Sequence, residues 1–305
     1  MNCYAKRLDV HLLINLATAD RDIEHEQQSD LAMISNSGRR PYKADAPGND
    51  PIYDKNYYET MRGNEPNALY RKVLTATGIN FADRRVLDVG CGRGEMITMA
   101  LEQGAIYVVG LDISVESMHL ASSLVDSLSL PKERYELMHM GLDQYADQGQ
   151  HELFDHILMI DFVEHVEQTV LLRSLKAARE LLAPGGSLVV HTFPNLFWHT
   201  LLTCLLKIAK PDECERITSI HVNVQTPKRL RLALNKSGFT DVAVWVDSDF
   251  IHASSFYINM KESLLKSIVK TVFNDLMNKR AMRWISRKIK IDSLLYMSIY
   301  GVARK

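Results

Sequence analysis

The stretch VLDVGCGRGE, at residues 86–95, is the strongest signal in this sequence. It reads as a short buried strand that ends at Asp88 and passes into glycines at positions 90, 92 and 94 before a helix. A ligand can approach a backbone closely only where no Cβ intervenes. Since open α/β sheets bind ligands outside the carboxyl ends of their strands, this loop is the expected binding place of a nucleoside-containing cofactor.

A second acidic residue supports the same interpretation. The next apolar run, IYVVGLD at 106–112, ends in Asp112, 22 residues beyond Gly90, where a carboxylate can accept hydrogen bonds from both ribose hydroxyls. Taken singly, each feature has a plainer explanation, because an Asp at a strand end can cap the next helix and glycines can serve tight packing. Their joint occurrence at this spacing favours a ligand site.

The details of the glycine loop indicate which ligand would fit. A dinucleotide fingerprint that begins at Gly90 needs a glycine at position 95 to admit pyrophosphate, and this chain has Glu95 there. The chain also contains no Gly-Lys-Ser/Thr sequence to hold nucleotide phosphates. The site is therefore expected to take a nucleoside without phosphates, and S-adenosylmethionine is such a nucleoside, with a cationic sulfonium.

The order of apolar and helical stretches predicts the fold class. Short apolar runs alternate with helical stretches, which is typical of βαβ units and a parallel sheet. Five runs lie at 85–89, 106–111, 135–139, 154–160 and 187–192, a sixth strand is expected at 241–246, and the last at 293–305. The last strand would lie at a sheet edge or pair antiparallel beside the sixth. We predict an α/β, Rossmann-like, seven-stranded and mostly parallel sheet with helices on both faces, an antiparallel last strand and helical cap insertions.

Capping signals give several helix boundaries. Pro66 suits the first turn of a helix that runs to about Thr77, and Ser114 is a suitable N-cap for the helix after the second strand. Pro184-Gly185-Gly186 is expected to end a helix that runs to Leu182. Another helix should start near Thr226-Pro227.

With these motifs the chain resembles the class I S-adenosylmethionine-dependent methyltransferases, in their small-molecule, quinone-type O-methyltransferase branch. The resemblance runs from about Val86 to Phe239 and includes FDHILMIDFVEHV, LLAPGGSLVV and HVNVQTPKRLRLALNKSGF. It implies a methyltransferase enzyme with S-adenosyl-L-methionine as cofactor and a small-molecule methyl acceptor. It also implies the cofactor-binding residues Asp88, Gly90, Cys91, Gly92, Gly94, Asp112, Ile113, Leu142, Asp143 and Ile160.

The same resemblance assigns a part of the cofactor to most of these residues. The glycine loop, with Asp88, would contact the methionine part, and Asp112 with Ile113 the ribose and the adenine edge. Leu142 and Asp143 would contact the adenine through either a backbone amide or a carboxylate. Cys91 lacks a paired base in the sequence, so its expected role is that of a small packing residue.

Candidate catalytic residues follow the fourth strand. Methyl transfer from a sulfonium is a direct displacement, so positioning supplies much of the acceleration and a protein base is optional. If the acceptor is a hydroxyl, His165 is the best-placed base, with Glu164 to orient it, and His221 and His191 are further candidates. Some quinone-type O-methyltransferases with a similar EHV segment are metal-assisted, but this chain departs from the fuller pattern and we assign no metal. A structural role is the alternative for each histidine.

The domain organisation follows from composition. Residues 1–50 are expected to form a partly flexible N-terminal extension and residues 51–80 capping helices. The methyltransferase domain would span 81–305, with helical insertions at about 194–220 and 256–290. The second insertion has nine basic and two acidic residues, a local charge of +7, and its apolar residues recur at helical spacing. Such a basic amphipathic pattern suits peripheral contact with an anionic membrane, while packing as a small cap domain is the alternative.

Overall charge and cysteine content restrict the partners and the compartment. Lys and Arg total 36 against 37 Asp and Glu, so the chain lacks the basic excess of a dedicated nucleic-acid binder. Four cysteines without a C-x-x-C pair indicate a reducing cytoplasm, and the protein could lie at the inner face of a membrane. A non-catalytic, methyltransferase-like binding protein and an RNA or protein methyltransferase remain as alternatives.

Overall fold

The computed structural model describes residues 66–128, 130–149, 152–247, 284, 288 and 296–305. The predicted extension at 1–50, the first part of the predicted capping helices at 51–65 and nearly all of the insertion at 256–290 lie outside the described residues.

Within this part of the chain, seven strands form one sheet in the order β3-β2-β1-β4-β5-β7-β6. The strands are β1 Arg85–Val89, β2 Tyr107–Asp112, β3 Tyr135–His139, β4 Phe154–Ile160, β5 Leu182–Thr192, β6 Asp241–Asp247 and β7 Ser298–Arg304. Strands β1 to β5 pair in parallel, and β7 pairs antiparallel with both β5 and β6. The predicted fold class is confirmed.

Helices cover both faces of this sheet. They are α1 Pro66–Thr77, α2 Glu95–Glu102, α3 Val115–Ser127, α4 Leu142–Asp147, α5 Gln168–Leu181, α6 Leu196–Ala209, α7 Pro211–Ile220 and α8 Pro227–Lys236, with a short 3₁₀ helix at Lys132–Arg134. Because side chains alternate along a strand, Val86 packs with α1, α2 and α3 while Leu87 packs with α4, α5 and α8. A parallel sheet buried on both faces therefore presents ligand-accessible surface only at its ends.

Three helix starts are fixed by side-chain caps. The hydroxyl of Ser114 accepts a hydrogen bond from the Ser117 N–H at 3.2 Å, and that of Thr226 from the Arg229 N–H at 3.1 Å, as the sequence predicts. Helix α1 has the predicted bounds. Helix α6 has a cap that was not predicted, because the Asn195 side chain accepts from the Trp198 N–H at 3.1 Å.

The prediction for the start of the fifth strand is wrong. Helix α5 ends at Leu181, and Pro184-Gly185-Gly186 lies within β5 instead of ending a helix. The cause is pairing with β4, since Leu182 already aligns with Phe154 and the register shifts before His156. A Cβ on Gly186 would lie 2.9 Å from the Asp155 carbonyl oxygen, so glycine allows the two strands to approach here.

Two further strands, one next to each edge of the sheet, also differ from expectation. Strand β2 runs one residue later than predicted, because Ile106 is half exposed and Asp112 pairs with His139. The edge position predicted as one alternative for the last strand is wrong: β7 lies between β5 and β6, and β6 forms the edge. The guanidinium of Arg231 donates to the carbonyls of Val242 and Val244 in β6.

Candidate cofactor and acceptor site

The glycine loop lies at the switch point of the sheet. The chain passes from β1 to β2 on one side, while β4 and β5 lie on the other side of β1. In open α/β sheets the crevice outside the strand ends at such a point is where ligands bind. The loop that follows β1, at 90–94, and the loop that follows β4, at 161–167, face this crevice by topology.

The three glycines of the loop have left-handed backbone conformations, but for different reasons. Their φ angles are 75° at Gly90, 53° at Gly92 and 84° at Gly94. A Cβ at Gly90 would lie 3.0 Å from the Phe162 ring, and one at Gly94 would lie 3.1 Å from the Ala121 Cβ, so both positions serve packing. A Cβ at Gly92 would meet nothing within 4 Å. Gly92 alone of the three borders open space.

Asp112 ties the end of β2 to the glycine loop. Its Oδ2 accepts a hydrogen bond from the Gly92 N–H at 2.9 Å, and its Oδ1 accepts from the Ser114 N–H at 2.8 Å. Burial raises the pKa of Asp112, and these backbone hydrogen bonds oppose that rise. Each carboxylate oxygen has a second lone pair, so ribose hydroxyls can still donate to it.

Asp88 is a buried acid of the crevice with a strongly raised pKa. It is 4% exposed, and burial, followed by the negative charges of Asp112 and Glu95, raises its pKa to about 7. Within the described part of the chain no hydrogen bond to its carboxylate is formed. A cationic ligand beside Asp88 would favour its ionised form.

Tyr70 was not predicted from the sequence, and α1 places it at the same crevice as Asp88 and Glu95. Burial raises the pKa of Tyr70, and the negative charges of Glu95, Asp88 and Asp161 raise it further. Arg93 forms an ion pair with Glu95 at 2.7 Å and partly offsets this charge. The aromatic composition of the segment before and within α1 was the only sequence signal for such a residue.

Cys91 has a packing environment, as the sequence analysis expected. It is buried, and its Sγ lies 3.1 Å from the position that a Cβ on Gly110 would occupy. Burial raises the pKa of the thiol, which keeps it protonated. Ile160, at the end of β4, is also almost fully buried.

The adenine-side candidates follow β2 and β3. The carbonyl of Ile113 is hydrogen-bonded to the His139 ring at 2.7 Å, which links the ends of these strands. Leu142 is buried, and the carboxylate of Asp143 is engaged by the Gln144 N–H at 3.1 Å and by Arg173 at 3.4 Å. Both predicted adenine contacts, a backbone amide and a carboxylate, stay predictions.

The carboxylate of Glu164 is hydrogen-bonded to the end of β5. It accepts from the Thr192 hydroxyl at 2.8 Å and from the Phe193 N–H at 3.3 Å. Burial, followed by the charge of Asp161, raises the pKa of Glu164 to about 8. The expectation that Glu164 orients His165 is therefore corrected, because the carboxylate is directed at the end of β5.

His165 is oriented by the main chain of α7. Its Nδ1 lies 2.9 Å from the Ile220 carbonyl oxygen, and its ring lies 5.0 Å from that of His221, which in turn packs 5.7 Å from His199. Burial lowers the pKa of both His165 and His221. Both rings are thus kept neutral. Their predicted catalytic roles stay predictions.

His191 and Asp161 form a close pair at the ends of β5 and β4. The His191 Nδ1 lies 2.6 Å from the Asp161 Oδ1. The imidazole is completely buried, with its edge against Tyr300 at 4.9 Å, whereas the Asp161 side chain is 38% exposed. Sequence reasoning named His191 as a further candidate but missed Asp161.

The described residues contain no group of three or more His, Cys, Asp and Glu side chains arranged to hold a metal ion. None of the described helices has the length and apolar character needed to cross a membrane.

The sheet order, the open backbone at Gly92 and the acid at Asp112 define a Rossmann-like, nucleoside-binding fold. The family described as "Methyltransferase domain" matches residues 61–244. This chain belongs to that family of class I S-adenosylmethionine-dependent methyltransferases, which confirms the predicted family and S-adenosylmethionine as the cofactor that the family uses.

Curated relatives match part of the chain. The ubiquinone biosynthesis O-methyltransferase of Pasteurella multocida is 30% identical over 131 residues, which cover 41% of this chain and 53% of the relative. The cyclopropane mycolic acid synthase MmaA2 of Mycobacterium tuberculosis is 30% identical over 111 residues, covering 36% of this chain and 37% of the relative. This chain spans about half the length, or less, of the curated relatives that it matches.

Solved structures share the fold. A S-adenosylmethionine-dependent methyltransferase from Archaeoglobus fulgidus superposes with a TM-score of 0.52 at 18% identity, over 83% of this chain and all (100%) of that chain. The cyclopropane synthase MmaA2 from Mycobacterium tuberculosis superposes with a TM-score of 0.54 at 18% identity, over 88% of this chain and 100% of that chain.

Proposed function

We propose that this chain transfers the methyl group of S-adenosylmethionine to a small-molecule acceptor, a hydroxyl of an apolar, lipid-linked, quinone-like or sugar metabolite. The observation that carries the proposal is the pairing of Gly92 with Asp112. A Cβ at Gly92 would meet nothing within 4 Å, and the Gly92 N–H is held by the Asp112 carboxylate. The backbone of Gly92 and the carboxylate of Asp112, which we propose binds the ribose, thus border the same open space.

The charge of the crevice supports a cationic ligand. The negative charges of Asp112 and Glu95 raise the pKa of Asp88, and all three acids raise the pKa of Cys91, which means that their charges act on one place. Neighbouring carboxylates disfavour one another's ionisation, and a cation placed among them relieves this repulsion. A sulfonium nucleoside with a free amino group has the matching charge, whereas a pyrophosphate would add to the repulsion.

Residue roles in the cofactor site follow from these positions. We assign Asp88 and the backbone of Gly90, Gly92 and Gly94 to the methionyl part, Asp112 and Ile113 to the ribose, and the start of α4 to the adenine. Cys91 and Ile160 would shape the walls. The bound cofactor supplies an electrophilic methyl group, and the chain contributes chiefly by holding the acceptor in line with it.

The acceptor side is proposed to lie between the loop after β4 and helices α6 and α7. Helix α6 has a strongly apolar sequence, and Trp198 and Leu202 pack against Phe193 and Met297. The names of two relatives refer to ubiquinone biosynthesis and to mycolic acids, both of which involve apolar molecules. His165, Glu164 and His221 remain the predicted acceptor-side residues.

Peripheral membrane contact belongs to the same proposal. The local charge of +7 over 256–290 suits an anionic lipid surface. Co-sedimentation of the whole chain with vesicles should occur with anionic lipid and be much weaker with zwitterionic lipid alone. Equal behaviour with both vesicle types would remove membrane contact from the proposal.

Two experiments test the proposed activity. Calorimetric titration with S-adenosylhomocysteine should give saturable, one-to-one binding. The protein should then transfer radiolabel from methyl-labelled S-adenosylmethionine into the lipid or small-metabolite fraction of a cell extract. Binding without transfer into any fraction would indicate a non-catalytic binding protein, and label in RNA or protein would indicate the rival substrate classes.

A further inference from the structure

Asp161 lies in the crevice as the first residue after β4, the strand that pairs with β1 next to the glycine loop. Its negative charge raises the pKa of Tyr70 on α1 and of Glu164, and opposes the lowering of the His165 pKa. Asp161 therefore lies between the cofactor side and the predicted acceptor side.

The backbone of Asp161 is held in a strained conformation. Its φ is 50°, and apart from Asp83, with a φ of 58°, no other non-glycine residue of the described chain has a positive φ. Such strain persists only where the surroundings impose it, and it is concentrated at functional sites. Here β5 imposes it twice, because the Asp161 N–H donates to the His191 carbonyl at 2.9 Å and the two side chains pair at 2.6 Å.

The pair combines an accessible acid with a fixed imidazole. The 38% exposure of the Asp161 side chain contrasts with the nearly complete burial of Asp88 and Glu164. His191 is fully buried against Tyr300 and cannot itself meet a large acceptor. A ligand in the crevice can therefore reach the carboxylate while the imidazole keeps it in place.

We propose that Asp161 is the general base for the methyl acceptor and that His191 is the residue that positions it. This inference rests on the proposed transfer to a hydroxyl, and it replaces His165 as the base. As the acceptor oxygen forms its bond to the methyl carbon, the carbon–sulfur bond breaks and its electron pair stays on sulfur. The hydroxyl proton passes to the Asp161 carboxylate, so charge and atoms balance without another reactant. A positioned base of this kind contributes about 10²–10⁴-fold to a rate.

A chromophoric phenol reports the contact of its hydroxyl with Asp161 without turnover. The whole chain, saturated with S-adenosylhomocysteine, is mixed with 4-nitrocatechol, and the absorbance of the ionised phenol is followed as the pH is raised. A carboxylate that accepts the hydroxyl hydrogen bond stabilises the neutral phenol, so we expect the bound probe to ionise at a higher pH with the wild type than with Asp161→Asn. Asp83→Asn is the matched control, because it makes the same change at the other strained aspartate and should leave the wild-type shift unchanged.

Variants of the partner separate positioning from folding. His191→Asn keeps an N–H donor near the Nδ1 position and should retain most of the shift, whereas His191→Leu should lose it. Thermal melting and S-adenosylhomocysteine affinity establish that each variant is folded. A bound probe that ionises at the same pH in the wild type and in Asp161→Asn, or a wild-type protein that binds S-adenosylhomocysteine but leaves the ionisation of the probe as it is in solution, would overturn the inference. A wild-type protein that does not bind S-adenosylhomocysteine would instead overturn the proposed function and this inference with it.

The rate of labelled methyl transfer to the same probe provides the kinetic counterpart. The rate should fall about 10²–10⁴-fold in Asp161→Asn. Asp161→Gly keeps the φ accessible, and added formate should restore at least tenfold of its lost rate; a variant with wild-type rate would contradict the assignment.

Discussion

Asp112 has two tasks, because its carboxylate both holds the glycine loop and faces the proposed ribose site. Replacement by alanine removes hydrogen bonds to a charged group, each worth about 1.5–3 kcal/mol. We therefore expect Asp112→Ala to weaken S-adenosylhomocysteine binding by at least tenfold in calorimetry. Asp126→Ala, at an exposed acid on α3, should bind like the wild type. Unchanged affinity in Asp112→Ala would contradict the ribose assignment.

The raised pKa of Asp88 predicts pH-dependent cofactor binding. In the free protein this carboxyl titrates at about 7, and an ammonium group of the ligand would favour its ionised form. Across about pH 5 to 8, binding should release a proton wherever the carboxyl of the free protein is protonated, so affinity rises up to about pH 7, by up to about tenfold per pH unit for one proton, and then levels off. Calorimetry across this range should show the rise in the wild type and a flat profile in Asp88→Asn. Affinity that falls with pH would refute the assignment.

Glu164 predicts a pH dependence of stability. Its pKa is raised by burial to about 8 in the folded chain, so its contribution to stability is complete below its ordinary pKa and is lost as pH rises through 8. The free energy of unfolding of the ligand-free protein should therefore fall from about pH 5 to pH 8, by up to about 1.4 kcal/mol per pH unit for this group. Urea unfolding of Glu164→Gln should show a smaller slope of the free energy of unfolding against pH, since the amide does not titrate. The variant should still fold, because the amide can satisfy both Thr192 and Phe193. An equal slope in both proteins would exclude Glu164 as a source.

Two glycines with the same kind of backbone conformation, one inside the glycine loop and one outside it, distinguish a loss of stability from a loss of ligand binding. Gly92 and Gly78 both have a positive φ, and a Cβ at either would meet nothing within 4 Å. Alanine at each position should cost about 1–2 kcal/mol of stability. Only Gly92→Ala should also weaken S-adenosylhomocysteine binding, because its methyl group enters the proposed ligand space. Calorimetry and thermal melting of the two variants measure this difference, and equal affinities would contradict the placement of the ligand.

The elements themselves were largely predictable from the sequence. Largely buried strands such as β1 and β4 have the predicted bounds, because their apolar runs are short and are followed by a glycine or a polar residue. The start of β5 was not predictable, because pairing with Phe154 overrides the helix-ending signal of Pro184-Gly185-Gly186. Local signals report local conformation, whereas register depends on a partner strand distant in sequence.

Across the whole molecule, the cofactor side of the site was easier to predict than the acceptor side. The glycine loop and Asp112 lie in one contiguous βαβ unit, so their spacing in sequence reports their spacing in the fold. Asp161 and His191 are 30 residues apart, and Tyr70 enters from α1, so their meeting depends on the assembled sheet. The direction of the Glu164 carboxylate toward β5 is likewise a tertiary property.

The crevice between Gly92 and Asp112 is proposed to hold a sulfur-containing nucleoside. The decisive measurement is a crystal structure of the full chain grown with S-adenosylhomocysteine. We predict electron density for the ligand across the glycine loop, with both ribose hydroxyls donating to the Asp112 carboxylate and the amino group beside Asp88. Clear density for these side chains with the crevice closed, or with the ligand bound elsewhere, would show that the nucleoside does not bind in this crevice.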